Sequence, residues 1–423
     1  MDQALTLWEE FLAENDQVEF VWLQFLSLLS TPLARMVPRA KFSDMLKQGQ
    51  WLSMTSAILH LLPGDRLADG ASPTGKLHLR PDFSTAYCQF GSNGTRAVIN
   101  VDCVDEHGAP IAECARSKVR ELHDRLERET QTALLVGFEV EVMFVRPRED
   151  GGKVLEYEAI NSEHSFTSMT PEDRTYLDLI EAVARALATP LQAIDMLLRA
   201  RETIMIVAKS FGLRATVYTQ PFPERPCNGA HVHLSVNPLE GKGDARFLRG
   251  AESFFAGIMR HFPAVLAFSL PSDISYCRVA TGVWSGGEYA AWGWENKEVA
   301  LRRIQENRFE VKLVDGLSNP FLVLSALLSA GTDGMRANLP LRGGHCHKGA
   351  AQLSAEEREA LGVKDILPTT LDNSLAFLAG DYVMRDLLGP DLVSSYISLK
   401  KGEAVFLRAM EQDERRRWLI ARH

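Results

Sequence analysis

Three separate segments of the sequence alternate apolar and ionisable side chains, and this alternation constrains the fold more than any other feature. In residues 136–144, Glu139 and Glu141 alternate with large apolar residues. Because successive side chains of a β-strand point to opposite faces, the segment is predicted to form a strand with one charged face. The two carboxylates would lie ~7 Å apart along it. An ordinary half-exposed strand with an acidic face explains this segment equally well on its own.

Two later segments, residues 231–236 and 308–313, repeat this arrangement. Their polar faces carry His231, His233 and Ser235 in the first, and Arg308, Glu310 and Lys312 in the second. A pair of surface histidines and a solvated, salt-bridged face remain open as alternative interpretations. Three strands of this kind favour a curved sheet whose apolar side packs on helices and whose polar side forms a cleft.

The side chains predicted to line this cleft combine oxygen and nitrogen ligands with basic groups. The candidate metal ligands are Glu139, Glu141, His231 and Glu310. Carboxylates and imidazole without thiolates suit Mg²⁺ or Mn²⁺. Arg302, Arg308 and Lys312 would neutralise the phosphates of a nucleoside triphosphate beside that ion. Because the sequence contains neither G-x-x-x-x-G-K-[ST] nor G-x-G-x-x-G after a strand, side chains must hold the nucleotide.

Charge and cysteine usage exclude several classes of protein. The 46 basic and 55 acidic residues give a net charge of −9, which disfavours partners such as nucleic acid or an acidic membrane surface. The six cysteines include no C-x-x-C pair, and the acidic N-terminal segment does not resemble a secretory leader. Both features indicate a cytoplasmic location. No apolar run reaches the ~18 residues that a transmembrane helix requires.

The 423 residues are predicted to form two domains. Short β-type segments at 20–25 and 97–101, separated by turn-rich stretches, indicate a small α+β domain over residues 1–105. The larger domain covers residues 106–423. Apolar residues at helical spacing predict helices over 118–129, 176–188 and 194–211.

These segments, in this order, resemble the glutamine synthetase family, most closely its type I branch. The collinear matches are residues 79–86, 137–141, 228–235, 292–297, 308–310 with 319–320, 330–334, and 367–368 to 402–403. The resemblance implies an α+β fold with a small N-terminal β-grasp-like domain. The large C-terminal catalytic domain would contain a curved antiparallel sheet backed by helices. It also implies a ring-shaped homo-oligomer with active sites between subunits.

The activity implied by the resemblance is that of an ATP-dependent carboxylate–amine ligase acting on small-molecule acid and amine substrates. ATP phosphorylates a carboxylate, usually the γ-carboxylate of glutamate, and an amine displaces phosphate from the acyl phosphate. By position, Glu139, His231 and Glu310 would hold one Mg²⁺ or Mn²⁺, and Glu141 would serve a second. The nucleotide positions are His233, Ser235, Arg302, Arg308 and Lys297, and the catalytic positions are Arg278, which pairs with a substrate carboxylate, Arg302 and Glu288.

The sequence departs from the family near the second metal. After Pro190 the chain lacks the family segment that supplies further carboxylates, because the predicted helix at 194 begins almost at once. The side chains that could replace those ligands are Glu156, Glu158 and Glu163. Without such replacements Glu141 lacks its usual partners, and the second ion would not bind.

A second departure concerns the acceptor. Trp284 stands where the family has the glutamate that deprotonates ammonium, and residues 51–56 lack the aspartate that helps to bind it. Glu288 can replace the base, although an exposed loop carboxylate is the favoured interpretation. An aromatic ring favours a larger, apolar or cationic amine over ammonia. Lys297 and Lys312 stand where the family has arginine, so the charge is kept but the bidentate fork is lost.

The sequence leaves two other functions open. The shortened metal segment and Trp284 both suit a catalytically impaired relative with a structural or sensing role. Phosphorylation of an acid without amide formation is also open. A ligase is favoured because the ligands of the phosphoryl-transfer metal and the basic residues are intact. The tract His345-Cys346-His347 is interpreted as a flexible loop rather than a metal site.

Overall fold

The computed structural model describes residues 2–151, 153–160, 193–241 and 243–423, which form helices and strands in mixed order. The strands are β1 (Phe20–Leu26), β2 (Pro32–Pro38), β3 (Leu52–Thr55), β4 (Leu61–Leu62), β5 (Arg66–Leu67), β6 (Lys76–Pro81), β7 (Tyr87–Cys88), β8 (Arg96–Val104), β9 (Thr132–Phe138), β10 (Met143–Asp150), β11 (Lys153–Ala159), β12 (Arg214–Thr216), β13 (Val232–Pro238), β14 (Trp292–Trp294), β15 (Leu301–Gln305) and β16 (Arg308–Val311). The helices are α1 (Asp2–Glu14), α2 (Arg39–Lys47), α3 (Ala115–Thr130), α4 (Ala193–Ser210), α5 (Ala245–Ser269), α6 (Pro320–Arg336), α7 (Ala355–Leu361), α8 (Leu371–Gly380), α9 (Tyr382–Leu388), α10 (Pro390–Arg408) and α11 (Gln412–Arg422).

Several predicted elements are confirmed. The segments at 20–25 and 97–101 lie in β1 and β8, and the helices expected over 118–129 and 194–211 are α3 and α4. The helix predicted over 176–188, together with Glu163 and Pro190, lies outside the described residues. The predicted α+β class is confirmed. Among the helices of the described ranges, none is both long and apolar enough to cross a bilayer.

The first compact unit comprises Met1–Ser117 and Met143–Thr216. Its main sheet has the order β2-β1-β8-β6-β3, with β7 also paired to β8, and only β1 and β8 run parallel. In β1, the alternate residues Val21 and Leu23 are buried, as the period of a half-exposed strand requires. They pack with Trp8 of α1, whose ring meets Phe42 edge-on at 5.1 Å between centroids. A second sheet of this unit has the order β11-β10-β12.

The second compact unit comprises Lys118–Val142 and Val217–His423. Its five-stranded sheet has the order β14-β15-β16-β13-β9. The pairs are antiparallel except β14 with β15, so the sheet predicted as antiparallel carries one parallel pair at its edge. The boundary predicted between residues 105 and 106 stays a prediction.

The helices α5 and α6 support the apolar face of this sheet. Asn319 caps α6 by accepting the backbone N–H of Phe321 at 3.0 Å, and a proline follows at the first turn. The two helices approach so closely that a Cβ at Gly257 would lie 2.1 Å from the carbonyl oxygen of Ala330. Phe255 of α5 contacts Phe309 of β16 at 4.0 Å between ring centroids. The prediction that the apolar side of these strands packs on helices is therefore confirmed.

The prediction of a single strand over residues 136–144 is wrong. The strand β9 ends at Phe138 and β10 begins at Met143, so residues 139–142 belong to neither. The backbone N–H groups of Glu139 and Glu141 still donate to His231 O at 2.9 Å and Gly229 O at 3.3 Å. Met143 instead begins the pairing with β12. Alternation predicts which side chains share a face, but it does not show that the chain leaves one sheet for another.

Candidate functional site

The register of the second unit's sheet aligns polar side chains of three neighbouring strands. His233 of β13 pairs with Glu310 of β16, which pairs in turn with Arg302 of β15. Two residues further along β13, Ser235 pairs with Arg308. Because directly paired residues project from the same face, the ionisable faces predicted for residues 231–236 and 308–313 form one surface.

The predicted metal ligands converge on this surface. The Nδ1 atom of His231 lies 3.3 Å from Glu139 Oε2 and 3.1 Å from Glu310 Oε1. His233 Nε2 lies 3.5 Å from the same oxygen of Glu139. Ligand atoms lie within 4.8 Å of one another both among Glu139, Glu141 and His231 and among Glu139, His233 and Glu310. The side chain of Glu139 is 50% exposed, whereas that of Glu310 is 1% exposed, so the cluster is accessible from one side.

Both central carboxyl groups are held in the ionised form. Burial alone would raise the pKa of Glu310, but the hydrogen bond with His231 and the charge of Lys312 lower it to about 2. Hydrogen bonds with His231 and His233 hold the pKa of Glu139 well below its usual range. Anionic oxygens beside imidazole form the donor set that hard divalent cations such as Mg²⁺ or Mn²⁺ prefer.

Basic side chains border the carboxylates. Arg302 donates to Glu310 Oε2 at 2.9 Å and also pairs with Glu295. Burial would lower the pKa of Arg302, but hydrogen bonds to these two glutamates raise it. Lys312 Nζ donates to Glu310 Oε1 at 3.2 Å, and its side chain is almost fully buried. Burial lowers the pKa of Lys312 despite the neighbouring carboxylate.

The predicted nucleotide positions on β13 and β16 lie together. Arg308 Nη2 is 3.4 Å from His233 Nδ1, and Ser235 Oγ accepts a hydrogen bond from Asn237 at 3.0 Å. His233 therefore lies between an arginine and the carboxylate cluster. Sequence reasoning placed it with the nucleotide and missed its contact with Glu139, although its spacing of two residues from His231 already indicated a shared face.

Arg278 lies deeper than a residue that only meets substrate. Its side chain is among the largest fully buried ones, and it donates to the carbonyl oxygens of Asn228 at 2.7 Å and Lys312 at 3.1 Å. It also donates to Cys227 O at 3.3 Å, and its Nη2 lies 3.0 Å from His231 Nε2. The guanidinium therefore fixes the orientation of a candidate metal ligand. Its predicted pairing with a substrate carboxylate stays a prediction.

The family model described as glutamine synthetase, catalytic domain, matches residues 180–419. The chain belongs to the glutamine synthetase family. The predicted family is thus confirmed, and the match supports the predicted class of enzyme, an ATP-dependent amide-forming ligase.

Individual relatives agree with this assignment. Protein fluG of Emericella nidulans is 35% identical over 443 residues, covering 99% of this chain and 50% of fluG, so the chain spans about half the length of that relative. Gamma-glutamylpolyamine synthetase GlnA3 of Streptomyces coelicolor is 29% identical over 436 residues, covering 94% of this chain and 92% of GlnA3. A solved structure described as a GmaS/ADP complex has a TM-score of 0.78 at 21% identity, covering 97% of this chain and 99% of that one, which shows a shared fold.

The carboxylates predicted as ligands of a second metal ion differ in their hydrogen-bond partners and in their exposure. Glu141 Oε2 accepts the backbone N–H of Gly229 at 2.5 Å. Glu156 accepts a hydrogen bond from Arg148 at 2.8 Å, and Glu158 is exposed on β11. Glu163 lies outside the described residues. The ligands of a second ion therefore stay a prediction.

The loop that follows Arg278 carries the other predicted residues. The side chain of Trp284 is 70% exposed, and Lys297 Nζ lies 5.8 Å from the centroid of its ring. Glu288 Oε1 accepts the backbone N–H of Thr281, a residue of the same loop, at 3.2 Å. Its role as a general base stays a prediction.

Two further sequence features have clear positions. Cys277, which precedes Arg278, forms a disulfide with Cys227, and the Cα atoms are 7.2 Å apart. His345 Nδ1 accepts the backbone N–H of Trp294 at 3.1 Å, and Cys346 is buried. Residues 345–347 lie outside the helices and strands, which agrees with their interpretation as a loop.

Proposed function

We propose that this protein is an ATP- and Mg²⁺- or Mn²⁺-dependent ligase that joins the γ-carboxylate of glutamate to an amine larger than ammonia. The observation that supports this proposal most strongly is the convergence of Glu139, His231 and Glu310 on one another. The three side chains come from separate parts of the chain, and two of them are ionised carboxylates. Ionised carboxylates beside an imidazole are the ligand set that a hard divalent cation prefers.

The residues around this cluster fit phosphoryl transfer followed by amide formation. A divalent ion held by Glu139, His231 and Glu310 would neutralise the phosphate oxygens of ATP. Arg302 and Arg308 then stabilise the charge on the transferring phosphoryl group. The substrate carboxylate receives this group, and the amine nitrogen attacks the resulting acyl phosphate, forming the amide and releasing inorganic phosphate.

The acceptor half of the proposal rests on Trp284. Its exposed ring offers apolar area at the position where the family has a glutamate, and the ammonium of Lys297 lies beside it. The relative GlnA3 is named a gamma-glutamylpolyamine synthetase, which agrees with an acceptor larger than ammonia. We propose Glu288 as the group that accepts a proton from the amine.

The remaining parts of the proposal concern assembly and partners. A ring-shaped homo-oligomer with active sites between subunits is proposed from family membership. The net charge of −9 favours small-molecule partners over nucleic acid and acidic membranes. The proposed location is the cytoplasm.

The test is phosphate release from ATP with Mg²⁺ or Mn²⁺ and a panel of acids, each assayed with ammonia and with larger amines. Glu139→Gln removes one anionic ligand at a half-exposed position, so turnover should fall by at least about 100-fold while the fold is kept. Glu306→Gln makes the same chemical change on a largely exposed side chain of the same unit and should retain turnover.

Three results would change the proposal. Wild-type protein without acid-dependent turnover for any pair would favour the catalytically impaired relative. Phosphate transfer to an acid without amide formation would favour a kinase-like activity. Efficient use of ammonia, unchanged in Trp284→Ala, would refute the acceptor half. Turnover that requires a bulky amine and falls in Trp284→Ala would support it.

A further inference from the structure

The loop between Arg278 and Glu288 holds its tryptophan in an unusual backbone conformation. Trp284 has a φ of 57°, in the left-handed region that bulky residues rarely adopt. Its side chain is 70% exposed, so little packing of the ring holds this conformation. Some other group must therefore fix the backbone at this residue.

Glu298 supplies that group. Its Oε2 accepts the backbone N–H of Gly282 at 2.7 Å, and its Oε1 accepts the backbone N–H of Trp284 at 2.7 Å. Both bonds are charge-assisted and short, and such bonds are about twice as strong as those between neutral groups. One carboxylate thus spans the turn that presents the indole ring.

Glu298 is itself held in place. Its backbone N–H donates to the side-chain oxygen of Asn296 at 2.9 Å. Asn296 in turn donates to the carbonyl oxygens of Cys346 at 2.8 Å and Lys348 at 3.1 Å. Fully buried residues follow Glu298 and lead into β15, which carries Arg302. The carboxylate therefore projects from an anchored segment rather than from a free surface loop.

Gly287, in the part of the loop that follows Trp284, packs closely against the backbone of Glu298. A Cβ at Gly287 would lie 2.8 Å from the backbone oxygen of Glu298, and the φ of 72° at Gly287 also favours glycine. Lys297, the preceding residue, places its ammonium 5.8 Å from the centre of the indole ring. Two consecutive residues therefore contact Trp284, one at its backbone and one at its ring.

We propose that Glu298 is a positioning residue that fixes Trp284 and thereby sets the preference of the enzyme for its amine acceptor. This inference rests on the proposed function, in which the ring of Trp284 meets the acceptor. Without the carboxylate the loop samples more conformations, and an amine then loses contact area with the ring. Activation of the acid uses the cluster around Glu139, so it should not depend on Glu298.

The first measurement tests the hydrogen bonds directly, without reference to activity. Hydrogen–deuterium exchange of the peptide covering residues 279–288 should be faster in Glu298→Gln than in wild type, because a neutral amide has only one acceptor oxygen. Glu306→Gln, the matched control, should leave this exchange unchanged. Equal exchange in wild type and Glu298→Gln would overturn the proposal.

The second measurement tests selectivity. Glu298→Gln should raise the KM for the bulky amine by about tenfold, the effect of losing a charge-assisted hydrogen bond, and leave the KM for the acid within about twofold. Glu298→Ala should lower the preference for the bulky amine over ammonia as much as Trp284→Ala does. The variant that combines Glu298→Ala with Trp284→Ala should lose little more of this preference than either single variant, because both changes remove the same contact.

The outcomes separate the two proposals. Faster exchange with an unchanged amine preference would overturn the role of Glu298 in selectivity, as would equal rises in the KM values for acid and amine. A wild-type enzyme that uses no amine would overturn the proposed function and the selectivity together, whereas the exchange measurement would still decide whether Glu298 fixes the loop. If Glu298→Ala does not fold, Glu298→Gln provides both measurements.

Discussion

Two networks of charged side chains in this molecule differ in how completely their carboxylates are hydrogen-bonded to basic groups. In the first unit, Arg116 bonds to Asp82 at 2.7 Å, Asp102 at 3.1 Å and Asp195 at 3.0 Å. Asp102 also accepts a hydrogen bond from Arg80 at 3.1 Å. Each of the three carboxylates therefore accepts a guanidinium hydrogen bond, and the network is closed.

The cluster of the second unit is different because one of its carboxylates faces solvent. Glu139 is half-exposed, and within the described part of the chain its carboxylate pairs with imidazole nitrogens at 3.3 and 3.5 Å. Its neighbour Glu310 is buried and bonded to Arg302 and Lys312. Removing the cation of the first network would leave buried carboxylates without a partner, whereas a cluster with exposed, convergent ligand atoms can bind a further partner. Variants in the two networks should therefore fail in different assays.

The largest effect is expected for Arg116→Met, which leaves three facing carboxylates without their shared cation. Removing one partner of a buried ion pair costs ~3–5 kcal/mol, so the thermal midpoint should fall by several degrees. The control is Arg148→Met, because Arg148 is 59% exposed and pairs with Glu156 on the surface of the same unit. Its removal should change stability by less than ~1 kcal/mol. Equal midpoints for the two variants would show that the first network is not structural.

The next effect is the response of stability to Mn²⁺. A cation that binds only the folded protein should stabilise the wild type by about 2.7 kcal/mol at 100 times its dissociation constant. Calorimetry with and without Mn²⁺ should show that Glu139→Gln loses most of this gain, whereas Arg116→Met retains it despite its lower midpoint. A gain that persists in Glu139→Gln would place the ion elsewhere and contradict the proposed site.

The sequence predicts which side chains converge better than it predicts the path of the chain. Alternation identifies Glu139, His231 and Glu310 because a side chain's face depends only on its position in the strand. The break after Phe138 escapes the same argument, because residues 139–142 keep alternate backbone bonds while the chain changes sheets. Local periodicity carries no information about which strand lies alongside.

Contacts made across long separations are harder to predict still. Arg278 reaches His231 from 47 residues away, and Glu298 reaches Trp284 from a segment beyond the loop. The family resemblance implied a substrate contact for the first, and the sequence indicated no role for the second. Such contacts depend on how strands and loops meet in three dimensions, which neither propensity nor spacing specifies.

Gly229 offers a smaller change at the edge of the open cluster. A Cβ at this position would lie 2.5 Å from His231 Nε2 and 3.1 Å from Arg278 Nη2. Gly229→Ala should therefore cost ~1–3 kcal/mol through overpacking and weaken the Mn²⁺-induced gain in thermal midpoint. At Gly380, where a Cβ would meet nothing within 4 Å, the same substitution should be close to neutral. Equal Mn²⁺ responses of the two variants would contradict this account of the imidazole's position.

The smallest effect concerns His261, a buried residue of the second unit whose two aspartate partners are partly exposed. Its ring nitrogens lie 2.6 Å from Asp381 and 3.0 Å from Asp333, and Arg260 also contacts Asp333 at 3.4 Å. Burial alone lowers the pKa of His261, but the hydrogen bonds to the two carboxylates outweigh it and raise the pKa above its usual value of 6.5. Because these effects oppose one another, the net contribution to stability should be small.

Because the pKa of His261 is raised in the folded state, its contribution to stability should fall as the pH rises. A raised pKa means that the folded state binds the proton more tightly, so the stabilisation is fully present below pH ~6.5 and is lost as the pH rises through the pKa of the folded state. Each unit of pKa difference contributes about 1.4 kcal/mol. Thermal midpoints of wild type and His261→Gln should therefore differ most near pH 5.5 to 6 and converge at higher pH. Arg260→Gln keeps both contacts of His261 with the aspartates, so its midpoint difference from wild type should vary less over this range than that of His261→Gln. A gap for His261→Gln that widens with pH would show that burial, not the two aspartates, dominates at this histidine.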